Sequence, residues 1–257
     1  MKISAIALNT FREAVRNKIL YTAVLFALVL VGVSAFFGSV SIGSQEKVIK
    51  DFGLFSLSFF GAIIAILSGV SLLNKELKQK TIYNILSKPV DRWQFIIGKY
   101  VGLTFTVSVL VCLMGLGLVF FVAIFENKID WLLFQAILFI LMEVAVVSAI
   151  AIFFSSVVVT TTLTGIFTLG TYIAGRSISY LKYYLESHDS SNAALVQLIN
   201  ILDWIIPDLT LFGIQNKVVY GIPASAEEVL WASLYCVSYV SVTLILATLV
   251  FDRRELT

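Results

Sequence analysis

Six long stretches of the chain carry almost no charge, and they constrain the fold more than any other feature of the sequence. They span residues 19–37, 53–73, 100–125, 131–154, 157–174 and 229–251. Apolar stretches of about 18 or more residues are long enough to cross the hydrocarbon core of a membrane as helices. Inside lipid each segment must satisfy its own backbone hydrogen bonds. The sequence therefore predicts an all-α membrane protein with six transmembrane helices.

Composition agrees with a membrane protein. Apolar residues occupy 59% of the 257 positions, whereas soluble domains use about 45–50%. If the N-terminus lies inside, twelve of the 18 Lys and Arg residues fall on the cytoplasmic side, which is the side that such residues prefer. Both termini are then cytoplasmic. The first apolar stretch exceeds the apolar part of a signal peptide, so we expect it to be a retained span.

Residues 1–18 are predicted to form an amphipathic helix in the plane of the membrane interface. Apolar residues recur there every three or four positions, with basic residues on the other side, as in helices that lie among lipid headgroups. The alternative is a basic flank that only fixes the topology. The residues of interest in this interfacial helix are Phe11, Arg12, Glu13, Arg16 and Lys18.

A mostly polar loop, residues 74–99, joins the second and third spans and carries six of the 18 Lys and Arg residues. Pro89 disfavours helix at the residue before it, and Asp91 with Gln94 can cap the next helix. The loop is therefore predicted to be a helix, a turn and a helix on the cytoplasmic side. Such a rigid protrusion can transmit force from another protein. The basic residues of the loop border the membrane, so binding to anionic lipid headgroups explains them better than binding to nucleic acid.

The longest segment on the other side, residues 175–228, is the outer segment. Its apolar stripe predicts short helices that lie on or dip into the outer leaflet. Ser225 with Glu228 predicts a capping box at the start of the last span.

Around the start of the third span, Gly98 and Gly102 match the small-xxx-small packing pattern, which is also frequent by chance in apolar helices.

Catalytic groups are sparse. The single histidine, His188, lies in the outer segment, and the chain has no G-x-x-x-x-G-K-[ST] phosphate loop. We therefore predict neither enzyme activity nor a metal site, and no nucleotide site of that kind in this chain.

Glu143 stands in the middle of the fourth predicted span, with Gln135 eight residues earlier on the same helical side. Burying an ionisable group in a membrane costs about 2.5–3.5 kcal/mol on insertion scales. The pair is therefore a candidate intramembrane polar site. Glu143 either contacts a substrate or a proton, or is a protonated carboxyl that is hydrogen-bonded between helices, and the sequence leaves both open.

The order of these elements resembles that of the ABC-2 type permeases. The shared motifs are the leader 9–18, then Glu76, Thr81, Ile82, residues 86–90, Arg92, Gly98 and Lys99, and the closing Phe251-x-Arg253-Arg254-Glu255. The resemblance covers nearly the whole chain and is nearest to the permeases of nitrous oxide reductase maturation and gliding motility.

The resemblance implies a type V exporter-like fold, with residues 1–18 as the connecting helix and residues 19–257 as a six-helix transmembrane domain. It also implies a prokaryotic inner-membrane protein, paired with an identical or different second permease and with ABC ATPase subunits that bind ATP and Mg. The loop 74–99 would be the coupling loop, and the outer segment would hold re-entrant helices. The implied coupling residues are Glu76, Thr81, Ile82, Leu86, Pro89, Arg92 and Lys99.

Three functions follow as hypotheses. The first is the permease subunit of an ATP-driven transporter. The second is a mechanical or scaffolding subunit that relays ATPase motion to an outer partner without moving a solute. The third is a proton-coupled carrier that uses Glu143 and needs no ATPase.

Overall fold

The computed structural model describes residues 2–16, 21, 24–25, 27–33, 36, 45–78, 91–158, 160–187, 197 and 205–253. Within these ranges the regular structure is helical. The helices are α1 (Lys2–Val15), α2 (Gln45–Lys78), α3 (Arg92–Glu126), α4 (Leu132–Val157), α5 (Thr161–Ser187), a 3-10 turn (Leu209–Phe212), α6 (Gln215–Val219) and α7 (Ala226–Asp252). Residues 27–33, inside the first predicted span, are also helical.

Four of the described helices are long and apolar enough to cross a membrane. These segments are Gln45–Leu72, Arg92–Phe125, Leu132–Val157 and Ala226–Asp252, and to within one residue they cover the second, third, fourth and sixth predicted spans. The fifth predicted span falls on α5, which is not among the four and which carries Arg176 within its length. The count of six spans therefore stays a prediction.

Helix α4 forms the centre of the bundle and contacts α2, α3, α5 and α7. Most of its residues are buried, from Leu133 near its start to Ser156 near its end, although Phe134 and Leu138 on one face of its first half are exposed. A helix surrounded in this way positions whatever polar side chain it carries inside protein rather than lipid.

Helix α1 packs along the first half of α3. A Cβ on Gly98 would stand 2.9 Å from side-chain atoms of Ile6, and one on Gly102 would stand 2.6 Å from the carbonyl oxygen of Ala7. The two glycines thus let the backbones approach closely, as small residues do in membrane helix pairs. Phe11 adds a ring contact with Phe105, with centroids 5.2 Å apart.

Two capping predictions have different outcomes. The capping box at α7 is confirmed: the Ser225 side chain accepts from the Glu228 N–H, and the Glu228 side chain accepts from the Ser225 N–H. Asp91 occupies the N-cap position of α3 with extended backbone, but its side chain makes no capping hydrogen bond. The expected side-chain cap at Asp91 is therefore wrong.

Gly175 lies inside α5, although the prediction places it at the start of the outer segment. A Cβ at this position would stand 2.5 Å from the carbonyl oxygen of Pro207. The glycine therefore marks a close contact between α5 and the chain after it, and not a helix end. Most of the apolar stripe that predicts short helices lies outside the described residues. After residue 204 the outer segment contains the 3-10 turn and α6.

Candidate functional site

A buried polar cluster connects three helices near the middle of α4. Glu143 is 1% exposed and is reached by Ser58 from α2 and by Arg176 from α5. The Ser58 hydroxyl donates to Oε2 of Glu143 at 2.9 Å, and Nε of Arg176 lies 3.1 Å from Oε1 of Glu143. Nη2 of Arg176 donates to the Ser58 hydroxyl oxygen. The three side chains therefore close a ring, which we call the Glu143 ring.

The charges of this ring compensate each other. A buried carboxylate and a buried guanidinium are each costly to remove from water, and the cost is offset when the two are paired and their remaining polar atoms are hydrogen-bonded. The Arg176 side chain is 27% exposed, so the charged pair is buried on the Glu143 side and open on the other. Chemically, the ring can lock three helices together and can present guanidinium N–H groups to a ligand.

The open side of Arg176 faces a cavity of about 370 Å³. Its walls come from α2, from α5 and from the stretch that runs from the 3-10 turn to the start of α6. The principal lining residues are Phe55, Phe59, Tyr172, Arg176, Tyr180 and Asn216. A cavity of this size, with aromatic walls and a few convergent polar groups, has the general character of a small-molecule site.

A second polar cluster holds the chain around Asp208 against α5 and α7. Ser179 on α5 donates to Oδ2 of Asp208 at 3.0 Å, and the backbone N–H of Thr210 donates to Oδ1 at 3.0 Å. The Tyr235 hydroxyl on α7 accepts from the backbone N–H of Asp208 at 2.9 Å. These bonds fix one wall of the cavity beside Arg176.

Gln135 and Glu143 have different partners, although both lie on α4. Oε1 of Gln135 accepts from the backbone N–H of Ala224 at 3.1 Å, next to the capping box of α7. Gln135 thus contacts the chain before the last helix, whereas Glu143 is part of the ring with Ser58 and Arg176. In the described residues the two predicted members of the polar site are not brought together.

The predicted coupling residues are only partly described. Thr81, Ile82, Leu86 and Pro89 lie outside the described residues, and Glu76 lies on α2 near its end at Lys78. Arg92 is the first residue of α3, and its guanidinium donates to the carbonyl oxygens of Phe251 at 3.1 Å and Asp252 at 2.9 Å.

Lys99 is 1% exposed and lies within α3, where its Nζ stands 5.7 Å from the centre of the Phe95 ring. The sequence counts Lys99 among the basic residues of the polar loop 74–99, whereas in the structure its side chain is buried. The reason is that α3 begins at Arg92, which puts Lys99 about two turns inside a packed helix.

The interfacial-helix residues divide in a similar way. Phe11 faces α3 through its contact with Phe105, while Arg12 and Arg16 are exposed and Glu13 is half-buried. Lys18 lies outside the described residues. The face of α1 with Ile6, Ala7 and Phe11 therefore contacts α3 of the same chain.

Sequence reasoning missed Arg176 as a partner of Glu143, because it assigned Arg176 to the outer segment. Two signals pointed to it. An acid in the middle of a span requires a polar or charged partner, and no proline interrupts the chain between Thr161 and Ser187. Extending the fifth helix to Ser187 brings Arg176 into the bundle.

Comparisons with known proteins agree with this architecture. The model of a family described as ABC-2 family transporter protein matches residues 4–256 of the chain. No curated protein matches it with significant similarity.

Proposed function

Because that model matches nearly the whole chain, the chain belongs to the ABC-2 family of transporter proteins, and we propose that it couples ATP hydrolysis by a separate ATPase to substrate movement. The family supports a membrane permease subunit that works with an ABC ATPase. In this proposal ATP and Mg are bound by the partner, and this chain supplies the helices that move. The match over residues 4–256 is the observation that carries the proposal.

The ends of the coupling loop support its role as the contact with the ATPase. Helix α2 continues past its apolar part to Lys78, and α3 begins at Arg92. Arg92 bonds to the carbonyl oxygens of Phe251 and Asp252 at the end of α7, and the Phe95 and Phe251 rings stack with centroids 5.9 Å apart. A displacement of the loop would therefore reach α7 as well as α2 and α3.

In this mechanism, closure of the ATPase subunits on ATP moves the coupling loop, and the helices change access between the two faces of the membrane. The Glu143 ring ties α2, α4 and α5 together, so these helices would move as one unit. The coupling loop and both termini lie in the cytoplasm of a prokaryotic cell. A second permease subunit lies beside the chain, and lipid covers the rest of its apolar surface.

The mechanical alternative also has an observation in its favour. Asp208 fixes the chain after residue 204 to α5 through Ser179 and to α7 through Tyr235. Helix motion would therefore be passed to the outer segment, which could act on an outer partner without moving a solute.

Proteoliposomes that contain the permease and its ATPase discriminate the two functions. ATP-dependent accumulation of any solute from a small-molecule extract, detected by mass spectrometry, supports transport, whereas ATP hydrolysis without accumulation supports the mechanical alternative.

Contact with an ATPase can be tested by cross-linking at the coupling loop. In a chain with Cys112 and Cys236 replaced by Ala, a Leu86→Cys variant carries a single cysteine in the loop. Treatment of native membranes with a bifunctional thiol–amine reagent should join this variant to an ATPase with a Walker motif. The matched control is Ile129→Cys, since Ile129 is exposed in the turn between α3 and α4, at the other end of the bundle. An ATPase adduct at both positions, or at neither, would contradict the proposal.

A further inference from the structure

The cavity beside Arg176 is bounded by two aromatic walls. Phe55 and Phe59 stand one turn apart on α2 with nearly parallel rings, 5.7 Å between centroids and 11° between planes. Tyr172 and Tyr180 stand two turns apart on α5 and lie on either side of Arg176 along the helix, since residues four apart share a face. All five side chains line the cavity. Aromatic faces offer large, rigid apolar area to a flat ligand.

The polar groups of the cavity favour a ligand that carries hydrogen-bond acceptors. A guanidinium has five N–H donors and no acceptor. Nε of Arg176 pairs with Glu143, and Nη2 donates to Ser58. Nη1 lies 3.7 Å from the position that a Cβ on Gly213 would take, so it points toward the cavity wall. The amide side chains of Gln215 and Asn216 also line the cavity, and an amide both donates and accepts.

The charges at the cavity disfavour an ionic ligand. Arg176 is the one Lys, Arg, Asp or Glu among its described lining residues, and Glu143 already compensates it. An anion would compete with a buried carboxylate for the same guanidinium, and a cation would meet that guanidinium directly. An uncharged ligand with hydroxyl or ether oxygens avoids both costs.

From these observations we infer that the cavity is a binding site for a sugar ring. The C–H faces of such a ring can pack on the Phe55–Phe59 wall and on Tyr180. Each of its hydroxyls can donate and accept at once, which suits Arg176 and Asn216 together. The volume of about 370 Å³ is within the range of small-molecule sites. The ring can belong to a free saccharide or to the headgroup of a glycolipid.

This inference goes beyond the proposed function and does not depend on it, because binding of a sugar ring needs no ATPase. It is tested on the full-length chain alone, purified in a polyoxyethylene detergent that carries no sugar. Binding of radiolabelled glucose, maltose and short-chain alkyl glucoside is measured by scintillation proximity, with alkyl phosphocholine of the same chain length as the competitor without a sugar.

The informative variants are Asn216→Leu, which removes an exposed amide at similar size, and Tyr180→Ala. The matched control is Tyr183→Ala, because Tyr180 and Tyr183 are 72% and 73% exposed on the same helix and only Tyr180 lines the cavity. We expect saturable binding of at least one sugar probe. Tyr180→Ala and Asn216→Leu should each weaken it at least tenfold, and Tyr183→Ala should leave it within twofold.

Each outcome decides the inference. Binding of a free sugar supports a saccharide site, and binding of the alkyl glucoside alone supports a glycolipid headgroup. Equal competition by alkyl phosphocholine, no saturable binding of any sugar probe, or unchanged binding in the Asn216→Leu and Tyr180→Ala variants overturns it. Gel filtration and the midpoint of thermal unfolding verify that each variant is folded.

Discussion

Arg176 on α5 and Glu143 on α4 form an ion pair, with Nε of the arginine 3.1 Å from Oε1 of the glutamate. Ser58 on α2 donates to the other carboxylate oxygen at 2.9 Å. The pair is net neutral and the carboxylate is fully buried, so removing either partner leaves an uncompensated charge. This makes the pair a structural bond between helices and, at the same time, the charged edge of a cavity.

The first prediction concerns the loss of one partner of this pair. Glu143→Gln should lower the free energy of unfolding by about 3 kcal/mol, the lower end of the range for a broken buried pair, because Arg176 is partly exposed and can be hydrated. Unfolding of the purified chain by sodium dodecyl sulfate, followed by circular dichroism, measures the change. The double variant E143Q/R176M should recover most of the loss, since it leaves no unpaired charge.

The control for this prediction is Glu228→Gln. Glu228 forms an ion pair with Lys217, and both side chains are more than 40% exposed. Exposed pairs contribute about 0–1 kcal/mol, and Gln can retain the capping box. Equal losses in Glu143→Gln and Glu228→Gln, or no recovery in the double variant, would show that charge compensation does not stabilise the three-helix contact.

The second prediction uses two glycines in apolar helices. Gly102→Ala should destabilise the docking of α1, because its Cβ would lie 2.6 Å from the Ala7 carbonyl oxygen and 2.7 Å from Cβ of Thr10. At Gly170 a Cβ meets no described atom within 4 Å. Gly170→Ala should instead be neutral or stabilising by up to about 1 kcal/mol, from helix propensity alone.

Hydrogen exchange of residues 2–15 measures the docking of α1. We expect faster exchange there in Gly102→Ala and wild-type exchange in Gly170→Ala. Unchanged exchange in both variants would mean that the close approach at Gly102 contributes nothing to holding α1 on α3.

The sequence predicts the helical class and most helix positions, because long apolar segments in lipid leave the backbone no alternative. It also predicts the capping box of Ser225 and Glu228, since this signal is local. It fails where a contact joins distant segments. The partner of Glu143 is Arg176, 33 positions later in the chain, and hydropathy ended the helix before that residue.

The glycines also show that the sequence does not predict contacts between distant segments. Gly98 and Gly102 match a packing pattern that occurs often by chance, and nothing in the sequence says which helix they meet. Gly175 is the first residue of the predicted outer segment, whereas in the structure it lies inside α5 and lets the Pro207 carbonyl approach closely. A glycine indicates that another group can approach the backbone closely, but only the fold shows which group does so.

The third prediction concerns the joint between the coupling loop and the last helix. Arg92→Met removes the bonds to the carbonyl oxygens of Phe251 and Asp252 and retains much of the apolar stem. We expect faster hydrogen exchange at residues 250–253, equivalent to about 1 kcal/mol, since this site is partly solvent-exposed. Arg12→Met, at an exposed position on α1, is the control and should leave those residues unchanged. Equal exchange in the two variants would remove Arg92 from the proposed route of coupling.

The fourth prediction tests the coupling loop itself and depends on the proposed function. Leu86→Asp places a charge where an apolar contact with the ATPase is expected, and Pro89→Ala removes the residue that is expected to fix the turn between the two halves of the loop. Both variants should insert and fold normally. Leu86→Asp should reduce ATPase copurification at least tenfold. Pro89→Ala should retain the partner but lose most of the activity per ATP hydrolysed, because a loop without a rigid turn transmits less displacement.

The control is Ile129→Asp, an equal change of charge at an exposed position in the turn between α3 and α4. Wild-type copurification with Leu86→Asp, together with a wild-type ratio of activity to ATP hydrolysis in Pro89→Ala, would contradict the assignment of residues 74–99 as the coupling loop.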